Sequence, residues 1–426
     1  MADFANALLF MLPAFFLMIL IEASYAWWKG KFNFRSMDVI SSLSAGMTNA
    51  LKSVLGLTII IIGYGYMVEH FALFSPSKSI GLFVAAFVAQ DFAIYWYHRL
   101  AHSVNIFWNR HVIHHSGEDF NNAAALRQSI SKFVNVSVFF LLPAAILGIP
   151  LQVIAIITPL HLFVQVWYHT EHVGKLGWLE YVIVTPSQHR VHHAVNPIYI
   201  DKNLSPVFCI WDRAFGTFQE ELDDEPCIYG VTRQVNTWNP ILINLSHIWL
   251  LIKDAWRARS WWDKLRIWFM PTGWRPADVE ARYPVSSAKP AHFRKYRTAA
   301  SSQLQLWSWT QLIVLIGMVF HLLYRFIEIG FPDLFIYGAF MYLVVYSYTT
   351  LMDLNKHALW LEGIKSALAL AIIYSYGSWF GLGELGTLAV ASYQVLSVLA
   401  VGYFVKIELA NVPTSIAELS STQSSV

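Results

Sequence analysis

Runs of about twenty consecutive apolar residues restrict this chain more than any other feature. A helix that long matches the ~30 Å hydrocarbon layer of a bilayer and has few other ways to bury its surface. Such runs fall at 7–26, 43–66, 80–97, 131–149, 151–168, 306–325, 331–350, 358–379 and 386–406. They predict an all-α integral membrane protein with about nine transmembrane helices. The pair at 131–168 reads as a membrane hairpin, broken at Gly148-Ile149-Pro150 because proline cannot continue a helix. Composition agrees: 56% of residues are hydrophobic and 13% charged, against about 25% charged in soluble domains. Tryptophan pairs at 27–28 and 261–262 suit the membrane–water interface. The run at 7–26 lacks a basic leader, with Asp3 the sole charge before Glu22, and reads as a retained first span.

Basic residues set sidedness. Lys29, Lys31 and Arg35 follow the first run, Arg99 and Arg110 the third, and Arg190, Lys202, Arg213 and Arg233 lie between 169 and 305. That side is assigned to the cytoplasm. The chain then divides into N-terminal spans (1–97), a histidine-rich catalytic region that includes the hairpin (98–236), an interfacial amphipathic region (237–305), C-terminal spans (306–410) and a disordered tail (411–426). A net charge of +2 makes no electrostatic demand for nucleic acid. Two cysteines, Cys209 and Cys227, provide neither a disulfide framework nor a sulfur-ligated zinc site.

The 16 histidines are not scattered. His98 and His102 form one block, His111, His114 and His115 a second, and His189, His192 and His193 a third. Residues at i and i+4 share a helix face, so each block aims imidazoles in one direction. Eight clustered neutral imidazoles suit zinc, iron, copper or nickel, whereas bystander rings near a bilayer would each need a polar partner. One tetrahedral zinc takes four ligands; eight suggest two metals. His169 and His172 extend the set, and His161, Gln165, His169 and His172 form a polar stripe of the kind that lines functional cavities in membranes. Asp91, seven residues before His98, either orients a ligating imidazole or pairs with a neighbouring helix. His292, His70, His247, His321 and His357 lack cluster spacing.

Hydrolytic two-metal sites usually carry bridging carboxylates, and none lies inside the three blocks. Redox iron with positions open to dioxygen accepts nitrogen ligands, so oxidation is favoured. Two other classes remain. A metal transporter would place its histidines near the bilayer midplane, and a structural-zinc scaffold would leave imidazoles unused.

The order His-x-x-x-His, His-x-x-His-His, His-x-x-His-His resembles the fatty acid hydroxylase and sterol desaturase superfamily of membrane di-iron enzymes. The segments Asp91 to Arg99, Ala125 to Ser129, His169-Thr170-Glu171, Thr185 to His193 and Trp211 to Phe218 are similar, more narrowly, to the alkylglycerol monooxygenase family. The resemblance implies two iron ions held by the eight block histidines and His169. It implies dioxygen and a membrane lipid as substrates, with attack on an ether-linked carbon, and tetrahydrobiopterin as reductant. Asp91, Glu171 and Asn196 are the implied pocket residues, and 194–236 the cap over the metals. Arg127 and Gln128 stand where a pterin or headgroup would bind; alternatively, Arg127 is a surface arginine beside lipid headgroups. Ser103 follows His102 where animal members are expected to carry an acid. Sterol desaturases and fatty acyl hydroxylases, which use a protein electron donor, share the metal-binding pattern.

Overall fold

The computed structural model describes residues 2–410; the tail expected to be disordered lies outside them. Eleven helices of eight residues or more carry the architecture: α1 (Ala2–Trp28), α2 (Ser36–Val54), α3 (Tyr64–Phe71), α4 (Ile80–Ser103), α5 (Leu151–Phe163), α6 (Pro186–His193), α7 (Pro240–Arg257), α8 (Ser302–Tyr324), α9 (Asp333–Met352), α10 (Ala358–Tyr376) and α11 (Glu384–Ala410). Several starts are written locally. Ser79, Thr185, Asn239 and Ser301 cap α4, α6, α7 and α8 by accepting backbone N–H groups of the first turn, and proline follows the cap in α6 and α7, where its missing donor costs nothing.

Six described helices, α1, α4, α8, α9, α10 and α11, are long and apolar enough to cross a membrane. Three of the nine expected spans are not continuous long helices. The run at 43–66 breaks after α2 into a turn and a two-residue strand, Ile59–Ile60, paired parallel with Val134–Asn135. The 131–168 hairpin forms as the short apolar helices Ser137–Ile146 and Leu151–Phe163. Its apex demands glycine: Gly148 has φ +70°, and a Cβ there would stand 1.9 Å from the Phe74 carbonyl oxygen. Within the interfacial amphipathic region, the 255–275 stretch is the end of α7, the short helix Trp261–Arg266 and a turn of 3-10 helix, with Trp256, Trp261 and Trp262 exposed.

Two apolar packs flank the histidine region. The larger joins α1 and α2 to α8–α11, and the smaller joins α3 and α4 to the hairpin. Helix α2 is 19 residues long and buries Ser41, Ser42, Ser44 and Thr48 completely. Its polar atoms are matched inside the protein: the Ser44 and Tyr348 hydroxyls bond, and Tyr342 Oη donates to the Thr48 carbonyl at 2.8 Å. Such a helix suits a protein interior better than lipid.

Contacts between helix ends place the histidine region at one end of the bundle. The Glu22 carboxylate, near the end of α1, accepts from Asn122 N at 2.7 Å. Asp353, after α9, accepts from Trp238 N at 2.8 Å and Tyr296 Oη at 3.0 Å. Ser301, before α8, bonds Glu408 in α11. The C-terminal ends of α1, α9 and α11 and the start of α8 therefore gather where α4 delivers His98 and His102.

Candidate metal centre

Nine imidazoles converge in two groups. His98, His102, His111, His115 and His192 form one, and His114, His169, His189 and His193 the other. Within each group one nitrogen per ring lies within 4.8 Å of all the others. Helical spacing explains the partition. The i,i+4 pairs 98/102, 111/115 and 189/193 each stay together, whereas His114 and His192, one residue before a block's last histidine, turn to the opposite group. Successive residues on a helix point about 100° apart, so adjacent histidines serve neighbouring sites. The groups share a wall, with the His115 and His193 rings stacked at 4.4 Å between centroids.

The outer nitrogens are fixed. His98 Nδ1 bonds the Leu204 carbonyl at 2.7 Å, His192 Nδ1 the Lys202 carbonyl at 3.0 Å and His114 Nδ1 the Arg127 carbonyl at 3.3 Å. His102 Nδ1 bonds the Asp201 carboxylate at 3.0 Å. Each bond leaves Nε2 as the inward lone pair, which is how outer partners orient metal-ligating histidines. The inward atoms fit a metal. Nε2 of His102, His115 and His192 is buried without a hydrogen-bond partner among the described residues. Elsewhere Nε2 atoms face one another, at 2.8 Å between His98 and His111 and 2.9 Å between His169 and His189. Each such pair either shares a proton, one Nε2–H donating to the other ring's lone pair, or holds a cation between two lone pairs. Burial pushes His111, His114, His115, His189, His192 and His193 well below the ordinary imidazole value, aided by the field of neighbouring rings, and takes His169 to about 3. The neutral form is the ligating form.

The other expected site residues lie elsewhere. His172 joins neither group; it packs edge-on against Tyr25 at 5.3 Å. Asp91 does not touch a ligating ring. Fully buried, it accepts from His161 Nε2 at 2.7 Å, Trp211 Nε1 at 2.8 Å, and the Val207 and Phe208 amides at 3.1 Å. It holds the 207–211 stretch against α4 and α5. Gln165 continues this chain from His161 toward Tyr168, whose ring lies 4.2 Å from His189. Glu171 accepts from Asn33 Nδ2 at 2.8 Å, apart from the imidazoles. Arg127 is buried, and its guanidinium turns to Ser116 at 3.1 Å, Ser42 at 3.1 Å and Asp38 at 3.5 Å. It is neither a surface residue nor open to a ligand; its carbonyl, not its fork, serves the site. Gln128 bonds the Ala125 carbonyl at 3.1 Å and lines a cavity.

Segment 194–236 meets the imidazoles through Asp201 and Lys202 and is internally braced. Asp212 accepts from Leu204 N, Ser205 N and Thr217 Oγ1. Asn196 bonds Glu225, Pro226 and Ile228, and Tyr199 is fully buried. Asp201 and Asn203 have φ of +58° and +52°, a conformation that asparagine and aspartate tolerate best among residues with a side chain. Spacing did not single out Trp108, which packs 5.2 Å from His102 and 5.5 Å from His115, or His247, buried in a cavity wall.

Two cavities reach the groups. One of about 310 Å³ is walled by His98, His111, His114, His169 and His189 together with Ile94, Leu141, Leu162 and Val166. The other, about 440 Å³, meets His102, His115 and His192 and is otherwise lined by residues such as Arg233, Gln234, His247 and Arg275.

The family model described as Fatty acid hydroxylase matches residues 83–217, which bracket all nine converging histidines. Human (Homo sapiens) alkylglycerol monooxygenase is 35% identical over 375 residues, covering 86% of this chain and 82% of that protein. The Xenopus tropicalis alkylglycerol monooxygenase is 34% identical over 360 residues, covering 84% and 79%. The ornithine lipid hydroxylase OlsE of Rhizobium tropici is 28% identical over 155 residues, 36% of this chain and 46% of its own. No solved structure matches the chain significantly. The imidazole pattern and identity at this level over most of both chains place the protein in the fatty acid hydroxylase family, with the alkylglycerol monooxygenases.

Proposed function

We propose that the protein is an integral membrane di-iron monooxygenase that hydroxylates the ether-linked carbon of alkylglycerols. The carbon gains one oxygen atom of dioxygen, the other leaves as water with two electrons and two protons from a reductant, and the hemiacetal separates into fatty aldehyde and glycerol. The observation that carries this reading is a pair of imidazole groups approached by an apolar cavity on one side and a polar cavity on the other. The nine converging histidines are the ligands, five on one iron and four on the other. When bound, the irons supply the activation of dioxygen that no side chain here can provide.

The chain's own residues position and seclude. Ile94, Leu141, Leu162 and Val166 take the alkyl chain in the 310 Å³ cavity, so that the carbon beside the ether oxygen lies against the imidazoles. Asp201 and the Leu204 and Lys202 carbonyls hold His102, His98 and His192 in the tautomer that offers Nε2 inward. The cap at 194–236, tied down by Asp91 and Asp212, limits water at the reacting carbon. Tetrahydrobiopterin serves as reductant through the polar cavity, where Arg233 supplies donors to a planar heterocycle; Arg275 lines the same wall with its guanidinium held by Asp254 and the Tyr283 carbonyl. That placement replaces Arg127, whose fork is engaged with Asp38. The histidine site of the catalytic region (98–236) faces the cytoplasm in this reading, which the basic residues around it support.

Purified protein given alkylglycerol and tetrahydrobiopterin should release fatty aldehyde in air and none under argon. Turnover confined to a sterol or fatty acyl lipid, or dependent on an added electron-transfer protein, would replace this reading.

A further inference from the structure

The apolar side chains account for only part of the lipid cavity's wall. Arg110 and Lys132 also line it. Lys52, 5% exposed near the end of α2, lies in the electrostatic field of both, and no carboxylate acts on it. The visible contacts of the other two leave their charge uncompensated as well. Arg110 donates to the Val134 carbonyl at 3.0 Å and stands 5.1 Å from the Phe107 ring, and Lys132 stands 6.0 Å from the Tyr97 ring. Three cations gathered beside an apolar cavity are unfavourable unless an anion joins them. Lys132 is also near the metal groups, since its charge is felt at His98 and His114.

A molecule complementary to this cavity therefore has an anionic head, a short spacer and a long apolar tail, with its reacting carbon near the head. A neutral glycerol head offers three cations nothing to neutralise. We propose that Arg110 and Lys132 form a phosphate subsite, its field reinforced by Lys52, and that the preferred substrate class is the alkylglycerol phosphates, ether lipids bearing an anionic phosphomonoester. Six bonds separate the ether-linked carbon from phosphorus in such a lipid, so one end can meet Lys132 while the other lies against the imidazoles. A phosphomonoester carries a charge of about −1.5 to −2, enough to balance most of the cluster. For its catalytic consequence this inference rests on the ether-cleavage reading; for the binding site it does not.

The test uses the full-length enzyme in phosphatidylcholine nanodiscs. A 1-O-alkylglycerol and its 3-phosphate ester of equal chain length are each measured by equilibrium binding and by aldehyde release. The phosphate ester should bind about tenfold more tightly, and Arg110→Gln and Lys132→Gln should each remove most of that preference. Lys132→Arg, which keeps the charge, should retain it, and so should Lys264→Gln, a surface-charge control. Equal binding of the two lipids by the native enzyme, or a preference that survives both glutamine variants, overturns the proposal. So does a dependence on Arg110 and Lys132 that follows only the phosphatidic acid content of the disc, because the cations would then be bilayer contacts. If neither lipid yields aldehyde while the ester still binds through Arg110 and Lys132, the ether-cleavage reading fails and the phosphate subsite stands.

Discussion

An imidazole has two nitrogens, and here the partner of one decides the direction of the other. His192 shows this most simply: Nδ1 meets the Lys202 carbonyl at 3.0 Å, and Nε2 is left buried and unpartnered among the described residues. His292 shares the residue type and none of the setting; it sits in a short 3-10 turn with an exposed side chain. His192→Ala should therefore lower the metal content and reduce turnover by at least roughly a hundredfold, the upper range for lost metal-site partners. His292→Ala should leave both unchanged. Metal analysis alongside aldehyde release measures this, and equal effects of the two substitutions would remove the ligand assignment. The pairing of His102 with Asp201 follows the same logic: the carboxylate that orients a ligand comes from the cap, ninety-nine residues away, and not from Asp91 on the same helix.

At the scale of elements, the converging imidazoles come from four places: the end of α4, the short helix Val112–His115 with His111 before it, the stretch after α5 and helix α6. None of these can hold a neutral cluster alone. Their packing keeps the rings dry, which is why burial depresses their proton affinity and His169 titrates at about 3. An unfolded imidazole titrates near 6.5. Between those values the unfolded chain binds protons that the folded one refuses, so stability is complete above about pH 6.5 and declines as pH falls through the window. Chelator-stripped protein should thus lose several degrees of thermal midpoint, an order-of-magnitude expectation, on going from pH 7.5 to 5.5. Differential scanning at three pH values checks it; a flat or rising midpoint would mean the rings are not buried as neutral groups. The same packing explains why Asp91 serves the cap: a buried carboxylate is tolerated where four donors meet it, and those donors are supplied by α5 and the 207–211 stretch.

Across the whole molecule, the four C-terminal helices contribute no residue to the two imidazole groups; α8 and α9 pack on α2, and α2 in turn backs the segment that carries Arg127. Their interior contains an ion pair absent from any sequence motif: Glu362 and Lys365, each 1% exposed, at 2.5 Å. Ser347 donates to Glu362 at 2.8 Å, and Ser397 and Gln311 extend the network between α8 and α11. Removing one partner of a buried pair leaves an uncompensated charge, at a cost of roughly 3–5 kcal/mol, whereas replacing both with apolar residues is often neutral. Glu362→Gln should accordingly lower the thermal midpoint in detergent more than the double change Glu362→Leu with Lys365→Met. A single variant as stable as the double one would show that the pair is not electrostatically tight.

The sequence alone determined the class of the protein and marked the nine histidines that the fold brings together. Apolar runs and helical histidine spacing are local properties, set by a 1.5 Å rise and a 100° turn per residue, and both can be read without knowing the fold. The partition into two groups was not read this way: each block was expected to aim its imidazoles in one direction, and the fold turned His114 and His192 to the opposite group. Tertiary structure decided the rest. It broke three apolar runs into shorter pieces, turned Arg127 inward onto Asp38, moved His172 out of the site, and set Arg110 and Lys132 in the wall of a cavity beside the imidazoles. Each outcome depends on which distant surfaces meet, and charge pairing, burial and cavity shape arise from those meetings and not from spacing along the chain.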